Sequence, residues 1–226
     1  MRWYLTTRSR LGLALGCSSL VSIALFGVEA VRDNSIRFDY LVYNLFLAWI
    51  PLGLTLWLIH MLRTRLWSSW PSFLLTLFWL GFLPNTFYMI SDYIHIQDIA
   101  SGDLLFDVIM FSSFILNAFI LGLVSLFLIH SELRKRVSSH TSWWMMSAAI
   151  FLVSFAIYIG RDLRWNTWDV FLNPASILFD VSDRLLNPKA HPEMFSTTFG
   201  FGVLIASIYV VVWYLARALR QQKLPE

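Results

Sequence analysis

The chain has 226 residues, of which 58% are hydrophobic and only 14% are charged. A soluble domain of this length cannot bury so much apolar surface, so the composition excludes a water-soluble protein and makes the lipid bilayer part of its solvent. The formal net charge is only +3 and no segment forms a basic surface domain, which excludes a nucleic-acid-binding protein.

Six apolar runs are long enough to cross a bilayer, which takes about 20 helical residues each. The connections between them are short, and no stretch is suited to fold as a separate water-soluble domain. We therefore expect one integral membrane domain over residues 1–226, an all-α bundle of six transmembrane helices. The predicted spans lie near residues 11–28, 40–62, 71–90, 104–130, 143–159 and 195–216.

Lysine and arginine are unevenly divided between the two sides of this predicted bundle. If the N-terminus lies in the cytoplasm, eleven of the 17 basic residues fall on the inner side and six on the outer side. Because cytoplasmic connections are enriched in Lys and Arg, both termini are expected inside, with the basic residues against anionic membrane lipids. Twelve of the 14 acidic residues fall on the outer side. Membrane insertion does not require this excess, because Asp and Glu contribute little to orientation. It therefore indicates an outer site or a surface that attracts cations.

The N-terminal segment has the charged start of a secretory signal, but other features favour an uncleaved first span. The apolar run over residues 11–28 is longer than a usual signal core, and a cut after Ala30 would put the bulky Val28 at the outer recognition position. Cys17 is the only cysteine, which excludes an internal disulfide and a cysteine-based metal cage.

The third predicted span is interrupted within GFLPNTFYMISDYIHIQD, residues 81–98. Pro84 has no N–H to donate and clashes with the preceding turn, so the helix must kink or restart there. If the chain is α-helical beyond Pro84, the side chains of four polar residues share one face, at spacings of three, four and three. This pattern favours one wall of a polar site; the alternative is an interfacial tyrosine followed by solvated residues. The four residues are Asn85, Tyr88, Asp92 and His95.

The same stretch contains the residue types of a metal site. Asp92, His95 and Asp98 carry suitable ligand atoms, but no second histidine lies nearby in sequence. We therefore do not assign a metal to them.

The fourth span begins on the same side as that polar stretch. Asp103 and Asp107 occupy its first turns, where a carboxylate interacts favourably with the positive end of the helix dipole. Asn117 lies about three turns deeper. A buried asparagine in a span is typical of a helix–helix hydrogen bond, and a place in the polar site is the alternative.

The fifth span leaves the membrane on that side through YIGRDLRWNTWDVFLNP. Arginine and tryptophan recur there at helical spacing, which is typical of an aromatic belt with arginines that reach the interface. Arginines on the outer side nevertheless oppose the orientation rule, so we expect at least one of Arg161 and Arg164 to contact Asp92, Asp107 or Asn85. The arginine face holds Arg161, Arg164, Trp165 and Trp168, and the neighbouring face holds Asp162, Asn166 and Asp169.

An amphipathic segment precedes the last span. Residues 174–187 are too few to cross a bilayer, and they place Ile177, Leu178, Val181 and Leu185 on one face, so we expect an interfacial helix on the outer side. The last span then opens with TTFGFG, whose glycines are expected to allow close helix packing.

Two stretches, FLPNTFYMISDYIHI and YIGRDLRWNTWDVFLNP, resemble a bacterial multi-pass membrane family known as domain of unknown function 1361. The resemblance covers most of the chain, from about the second span to the last. It implies one structural unit in the cytoplasmic (inner) membrane of a bacterium, and it brings no established activity. The matching residues are Pro84, Asn85, Tyr88 and Asp92 in the first stretch, and Gly160, Arg161, Arg164, Asn166, Trp168 and Pro174 in the second.

Together these patterns favour an outward-facing polar pocket for an anionic or lipid-linked small molecule, which the protein binds or also processes. In an enzyme, Asp92 is the general base, and Arg161 and Arg164 clamp the anion. No cofactor is indicated by the residues. The expected ligand-binding residues are Asn85, Tyr88, His95, Asp107, Arg161, Arg164, Asn166 and Trp168.

Two other functions fit the same sequence. In a membrane structural or assembly factor, the outer charges are internal ties between helices. In a small-solute transporter, the proline-broken span and Asn117 line a path, but the inverted repeat of many transporters is missing from the sequence.

Overall fold

The computed structural model describes residues 2–32, 34–98, 104–163, 165 and 172–221. This part of the chain is helical throughout, with short turns and no β-strand. Two 3-10 segments, Tyr88–Asp98 and Pro188–Ala190, interrupt the α-helices. The helices are α1 Arg2–Arg32, α2 Asp39–Met61, α3 Trp70–Phe82, α4 Pro84–Phe87, α5 Leu104–Leu133, α6 Ser139–Asp162, α7 Pro174–Leu186 and α8 Pro192–Gln221.

Six of the described helical stretches are long and apolar enough to cross a membrane, which confirms the predicted six-span bundle. Successive spans run in opposite directions, so the bundle has two ends. The Arg161 end holds the last turns of α1 and α6 and the first turns of α2, α5 and α8, and the Arg134 end is opposite. The spans are Ser9–Arg32, Asp39–Met61, Trp70–Ile94, Leu104–Leu133, Ser139–Asp162 and Pro192–Leu219.

Helix α5 is the centre of the bundle. It packs against α1, α2, α4, α6 and α8. In its most apolar stretch 61% of the residues are buried, against 17% in the spans formed by α1 and α8, so those two spans lie at the periphery with most of their surface open to lipid. Phe114, Ala118, Leu121 and Leu126 of α5 are fully buried.

The third span restarts at Pro84, which is one of the two outcomes that the sequence allows. Helix α3 ends at Phe82, and Pro84 occupies the first position of α4. Two side chains donate hydrogen bonds to carbonyl groups beside the break: Asn85 Nδ2 to Phe82 O at 3.1 Å and Thr86 Oγ1 to Leu83 O at 2.8 Å. These bonds satisfy backbone acceptors that water cannot reach in a bilayer. Asn85 therefore has a structural role at this break.

Beyond Phe87 the structure corrects one expectation. Tyr88–Asp98 is a 3-10 segment and not an α-helix. With three residues per turn, side chains four apart lie about 120° apart instead of on one face. The predicted single polar face through Tyr88 and Asp92 is therefore wrong.

The short helix α4 packs directly on α5 at Gly122. A Cβ atom added to Gly122 would lie 2.5 Å from Phe87 Cζ and still closer to Thr86 Oγ1. Phe87 is fully buried and its ring meets the Phe119 ring edge-on, with centroids 5.1 Å apart. Only glycine allows this approach, so Gly122 fixes the position of the segment that follows Pro84.

We expect Gly122→Ala to destabilise the protein by about 1–3 kcal/mol, because the added methyl group forces the α4 turn away from α5. The measurement is the thermal unfolding midpoint in detergent. Gly81→Ala is the matched control, because a Cβ at Gly81 meets nothing within 4 Å. Equal midpoints for the two variants would contradict the close packing of α4 on α5.

Asn117 joins α1 to α5, which confirms the helix–helix interpretation. Its Nδ2 donates to Ser22 Oγ at 2.8 Å and lies 3.2 Å from Ser18 O, both on α1. It also donates to Ser113 O, one turn earlier in α5, at 2.9 Å. This bonding accounts for a polar residue that is only 5% exposed in the middle of a span.

The amphipathic helix lies where the sequence predicts it, at Pro174–Leu186. Leu178, Phe179 and Leu186 are exposed, whereas Ile177 and Val181 are half-buried. Its polar residues tie it to the end of α6. Trp165 Nε1 donates to Asp180 Oδ2 at 2.8 Å, and Arg184 Nε donates to Tyr158 OH at 3.0 Å.

A second group of contacts links α7 to the start of α8. The His191 ring lies between Asp183 Oδ2, 3.2 Å from Nε2, and Glu193 Oε1, 3.3 Å from Nδ1. Hydrogen bonds from Asn187 and His191 lower the pKa of the Asp183 carboxyl group. Because its pKa is lowered, Asp183 stays ionised to a lower pH than an ordinary aspartate and supports this link.

Candidate functional site

A groove at the Arg161 end lies between Ile90 of the 3-10 segment and the parts of α6 and α8 at that end. Its volume is about 340 Å³. One charged and two hydroxyl-bearing side chains lie beside an apolar wall, so the groove offers both polar and apolar surface to a ligand. The lining residues are Ile90, Arg161, Ser196, Thr197, Gly200, Phe201 and Leu204; we call this the Arg161 groove.

Arg161 supplies the charge of the groove. It lies in the last turn of α6, where a cation interacts favourably with the negative end of the helix dipole. Its side chain is exposed. Among the residues that the structure describes, no carboxylate lies within 4.0 Å of its guanidinium group. The guanidinium therefore keeps its donors for a ligand or for water.

The first turns of α8 form the opposite wall. Ser196, Gly200 and Leu204 repeat every four residues, so they share one helix face, with Thr197 and Phe201 beside them. Gly200 has open space over its Cα, because an added Cβ meets nothing within 4 Å. This corrects the expectation that Gly200 serves close helix packing, since it leaves the groove open. Gly202 does face α6, with Ser154 Oγ 3.6 Å from an added Cβ.

Asp92 lies in a separate, buried polar cluster. It is 6% exposed, and Asn44 of α2 donates from Nδ2 to Asp92 Oδ2 at 3.4 Å. The Tyr88 side chain interacts with both Asn44 and Asp92. Tyr88 and Asp92 are thus brought together by α2 and not by a shared face of their own segment.

The protein-family comparison matches a family model over residues 43–208. That model is described as "Protein of unknown function (DUF1361)", and the match covers more than half of the chain. The chain belongs to the DUF1361 family. No curated protein and no solved structure matches the chain.

The DUF1361 match contains both polar regions described above. It begins within α2, one residue before Asn44, and ends within α8, beyond Leu204, so it includes the Asn44–Asp92 pair and every residue that lines the Arg161 groove. It leaves out α1. The candidate site is therefore part of the DUF1361 unit, whereas α1 lies outside the matched region.

The structure separates several residues that the sequence assigns to one pocket. Arg161 lines the groove, Asn85 bonds to the end of α3, and Asp107 is 1% exposed in the first turn of α5. Asp92 does not line the groove. Arg161 makes no ion pair with Asp92 or Asp107.

Other predicted residues lie outside the described part of the chain. They are Arg164, Asn166, Trp168 and the side chains of His95 and Asp98. Pairing of Arg164 with Asp92 or Asp107 therefore stays a prediction. Within the described residues no three His, Cys, Asp or Glu side chains are arranged to hold a metal ion.

The sequence does not single out Asn44 or the hydroxyl groups of α8. Asn44 is one polar residue in a long apolar run, and its partner Asp92 is 48 residues away in the chain. Ser196 and Thr197 begin an ordinary span. The sequence shows only isolated polar residues within the spans. Such residues indicate buried hydrogen bonds, but the sequence does not identify the bonding partners.

A further polar cluster, which the sequence does not single out, lies at the Arg134 end. The His130 ring is buried, and its Nδ1 lies 2.7 Å from Tyr209 OH and its Nε2 3.2 Å from Ser142 Oγ. The Trp213 indole stacks on the imidazole with ring centroids 4.0 Å apart. These contacts join α5, α6 and α8, so their effect is on packing.

We expect Asn44→Leu and Asp92→Leu to be coupled in a double-mutant cycle. Removing either partner leaves the other with one buried hydrogen bond fewer, which costs about 1–3 kcal/mol. Removing both should cost less than the sum, with a coupling energy of about 0.5–3 kcal/mol in detergent unfolding. Asp39→Leu is the control for loss of an exposed carboxylate. Additive effects would contradict the bond between α2 and the 3-10 segment.

Proposed function

We propose that this protein binds an anionic or lipid-linked small molecule in the Arg161 groove, through a phosphate or carboxylate group of that molecule. The observation that carries the proposal is an exposed arginine without a described carboxylate partner, beside an apolar cavity that opens at the end of the bundle. A guanidinium group binds phosphate or carboxylate through parallel hydrogen bonds. The apolar wall suits a hydrocarbon chain, so both parts of an amphiphile have a complementary surface.

The size of the groove supports this class of ligand. Its volume of about 340 Å³ lies at the lower end of small-molecule sites, which span about 300–1,000 Å³. That space holds a headgroup and the first part of a chain, while the rest of the chain extends into the bilayer. The apolar residues that meet this chain are Ile90, Phe201 and Leu204.

We further propose that the groove faces outward, in the outer leaflet of a bacterial cytoplasmic membrane. The support is the excess of Lys and Arg at the Arg134 end, which favours that end in the cytoplasm. In this orientation both termini are inside. A reporter that is active only outside the cytoplasm should therefore give no signal when it is fused after Glu226, and a strong signal would reverse the orientation.

Binding, and not turnover, is the function that the described residues support best. Asp92 is the sequence-based candidate for a general base, but it is buried against Asn44 and lies away from the groove lining. A general base must reach the proton that it removes, directly or through one water molecule. Processing of the ligand by Asp92 would require a rearrangement that opens the contact with α2.

A non-catalytic structural or assembly factor is the second candidate function. The buried Asn44–Asp92 bond favours it, because this carboxylate acts as an internal tie between helices. The two functions differ at the groove. In a purely structural factor, filling the groove changes no bound ligand, whereas in the lipid-binding protein it displaces one.

We expect Arg161→Gln and Gly200→Leu to weaken retention of phospholipid. The first removes a charge-assisted hydrogen bond worth about 1.5–3 kcal/mol, or roughly a tenfold loss of affinity or more. The second places a larger side chain in the groove, from a position where an added Cβ meets nothing within 4 Å. Native mass spectrometry of the full chain, released from nanodiscs that contain phosphatidylglycerol, measures the retained lipid.

Matched variants separate groove binding from general lipid contact. Arg63→Gln removes an exposed arginine at the opposite end, and Gly53→Leu adds the same bulk to α2, where a Cβ also meets nothing within 4 Å. Both should retain lipid like the unmodified chain. If Arg161→Gln and Gly200→Leu also retain it, the groove holds no specific ligand and the structural function is favoured.

A further inference from the structure

The rim of the Arg161 groove carries a negative charge as well as a positive one. We infer that the ligand is a phosphodiester lipid whose headgroup bears a primary ammonium group beside the phosphate. This inference rests on the proposed function and specifies the ligand class at the same site. Arg161 takes the phosphate, and Asp162 with Thr197 takes the ammonium group.

The hydroxyl groups of the groove have already used their protons. Ser196 Oγ donates to Glu193 O at 3.1 Å, and Thr197 Oγ1 donates to Asp162 Oδ2 at 3.4 Å. A hydroxyl group has one proton and two acceptor lone pairs. Ser196 and Thr197 therefore present acceptors to the groove. A ligand that satisfies them must itself donate hydrogen bonds.

Asp162 supplies the complementary charge. It is exposed at the end of α6, and no lysine or arginine of the described residues pairs with it. It follows Arg161 directly, and consecutive helical side chains point about 100° apart, so the two do not face each other. The Thr197 bond connects Asp162 to the groove wall. A cation and an anion thus stand side by side at one rim.

A zwitterionic amine headgroup complements this pair better than the other common headgroups. A phosphate monoester headgroup brings only negative charge near the Asp162 carboxylate. It offers no cationic hydrogen-bond donor to that carboxylate or to the two hydroxyl groups. A quaternary ammonium group has no N–H to donate. A glycerol headgroup donates hydrogen bonds but carries no positive charge. The primary ammonium group provides both the charge and three donors.

The test is competition among three lipids with identical acyl chains and different headgroups. The full chain is reconstituted in nanodiscs with equal amounts of phosphatidylethanolamine, phosphatidylglycerol and phosphatidylcholine, and native mass spectrometry measures the lipid that remains bound. We expect phosphatidylethanolamine to be enriched about fivefold over each of the other two, the upper end for one exposed ion pair. Asp162→Asn and Thr197→Val should each reduce this preference, because each removes a group that receives the ammonium group.

Asp39→Asn is the matched control, because it neutralises another exposed carboxylate at the same end, away from the groove lining. It should leave the preference unchanged. Equal retention of the three lipids, still lost in Arg161→Gln, would overturn the headgroup inference and leave the proposed function standing. Retention that Arg161→Gln does not affect would overturn the proposed function itself. A preference lost equally in Asp39→Asn would show a general surface-charge effect and overturn the inference.

Discussion

The arrangement of this protein depends on the contact between the Pro84–Phe87 turn and Gly122. A proline within a span would leave backbone carbonyl groups without partners in a medium that offers no water. Here the side chains of Asn85 and Thr86 donate hydrogen bonds to the carbonyl groups of Phe82 and Leu83 beside the break. The glycine on α5 lets the turn approach closely enough to bury the Phe87 ring. The chain that follows is therefore held between α5 and its neighbours.

That placement divides the polar residues of the Arg161 end into two regions with different physics. On one side of the 3-10 segment, Asp92 meets Asn44 in a buried setting, where breaking a hydrogen bond is costly. On the other side, Ile90 borders a groove in which Arg161 remains exposed and available to a ligand. The same segment thus contributes to stability through one face and to the candidate site through another.

The sequence predicts the six spans well, because crossing a bilayer depends on length and apolarity alone. It also predicts an interruption at Pro84 and the role of Asn117. It does not predict the 3-10 geometry after Phe87, since spacings of three and four residues fit an α-helical face equally well over so short a stretch. The Asn44–Asp92 bond joins residues 48 positions apart, which periodicity cannot reveal. The open space beside Gly200 likewise depends on how α8 packs against the other helices, which the sequence of α8 alone does not show.

An experimental structure of the full chain in lipid nanodiscs tests the central claim most directly. The account predicts headgroup density within hydrogen-bonding distance of the Arg161 guanidinium group, with a hydrocarbon chain along Phe201 and Leu204. A groove closed by contact between α8 and Ile90, with Arg161 paired to a carboxylate of the protein and no lipid density between the helices, would contradict it.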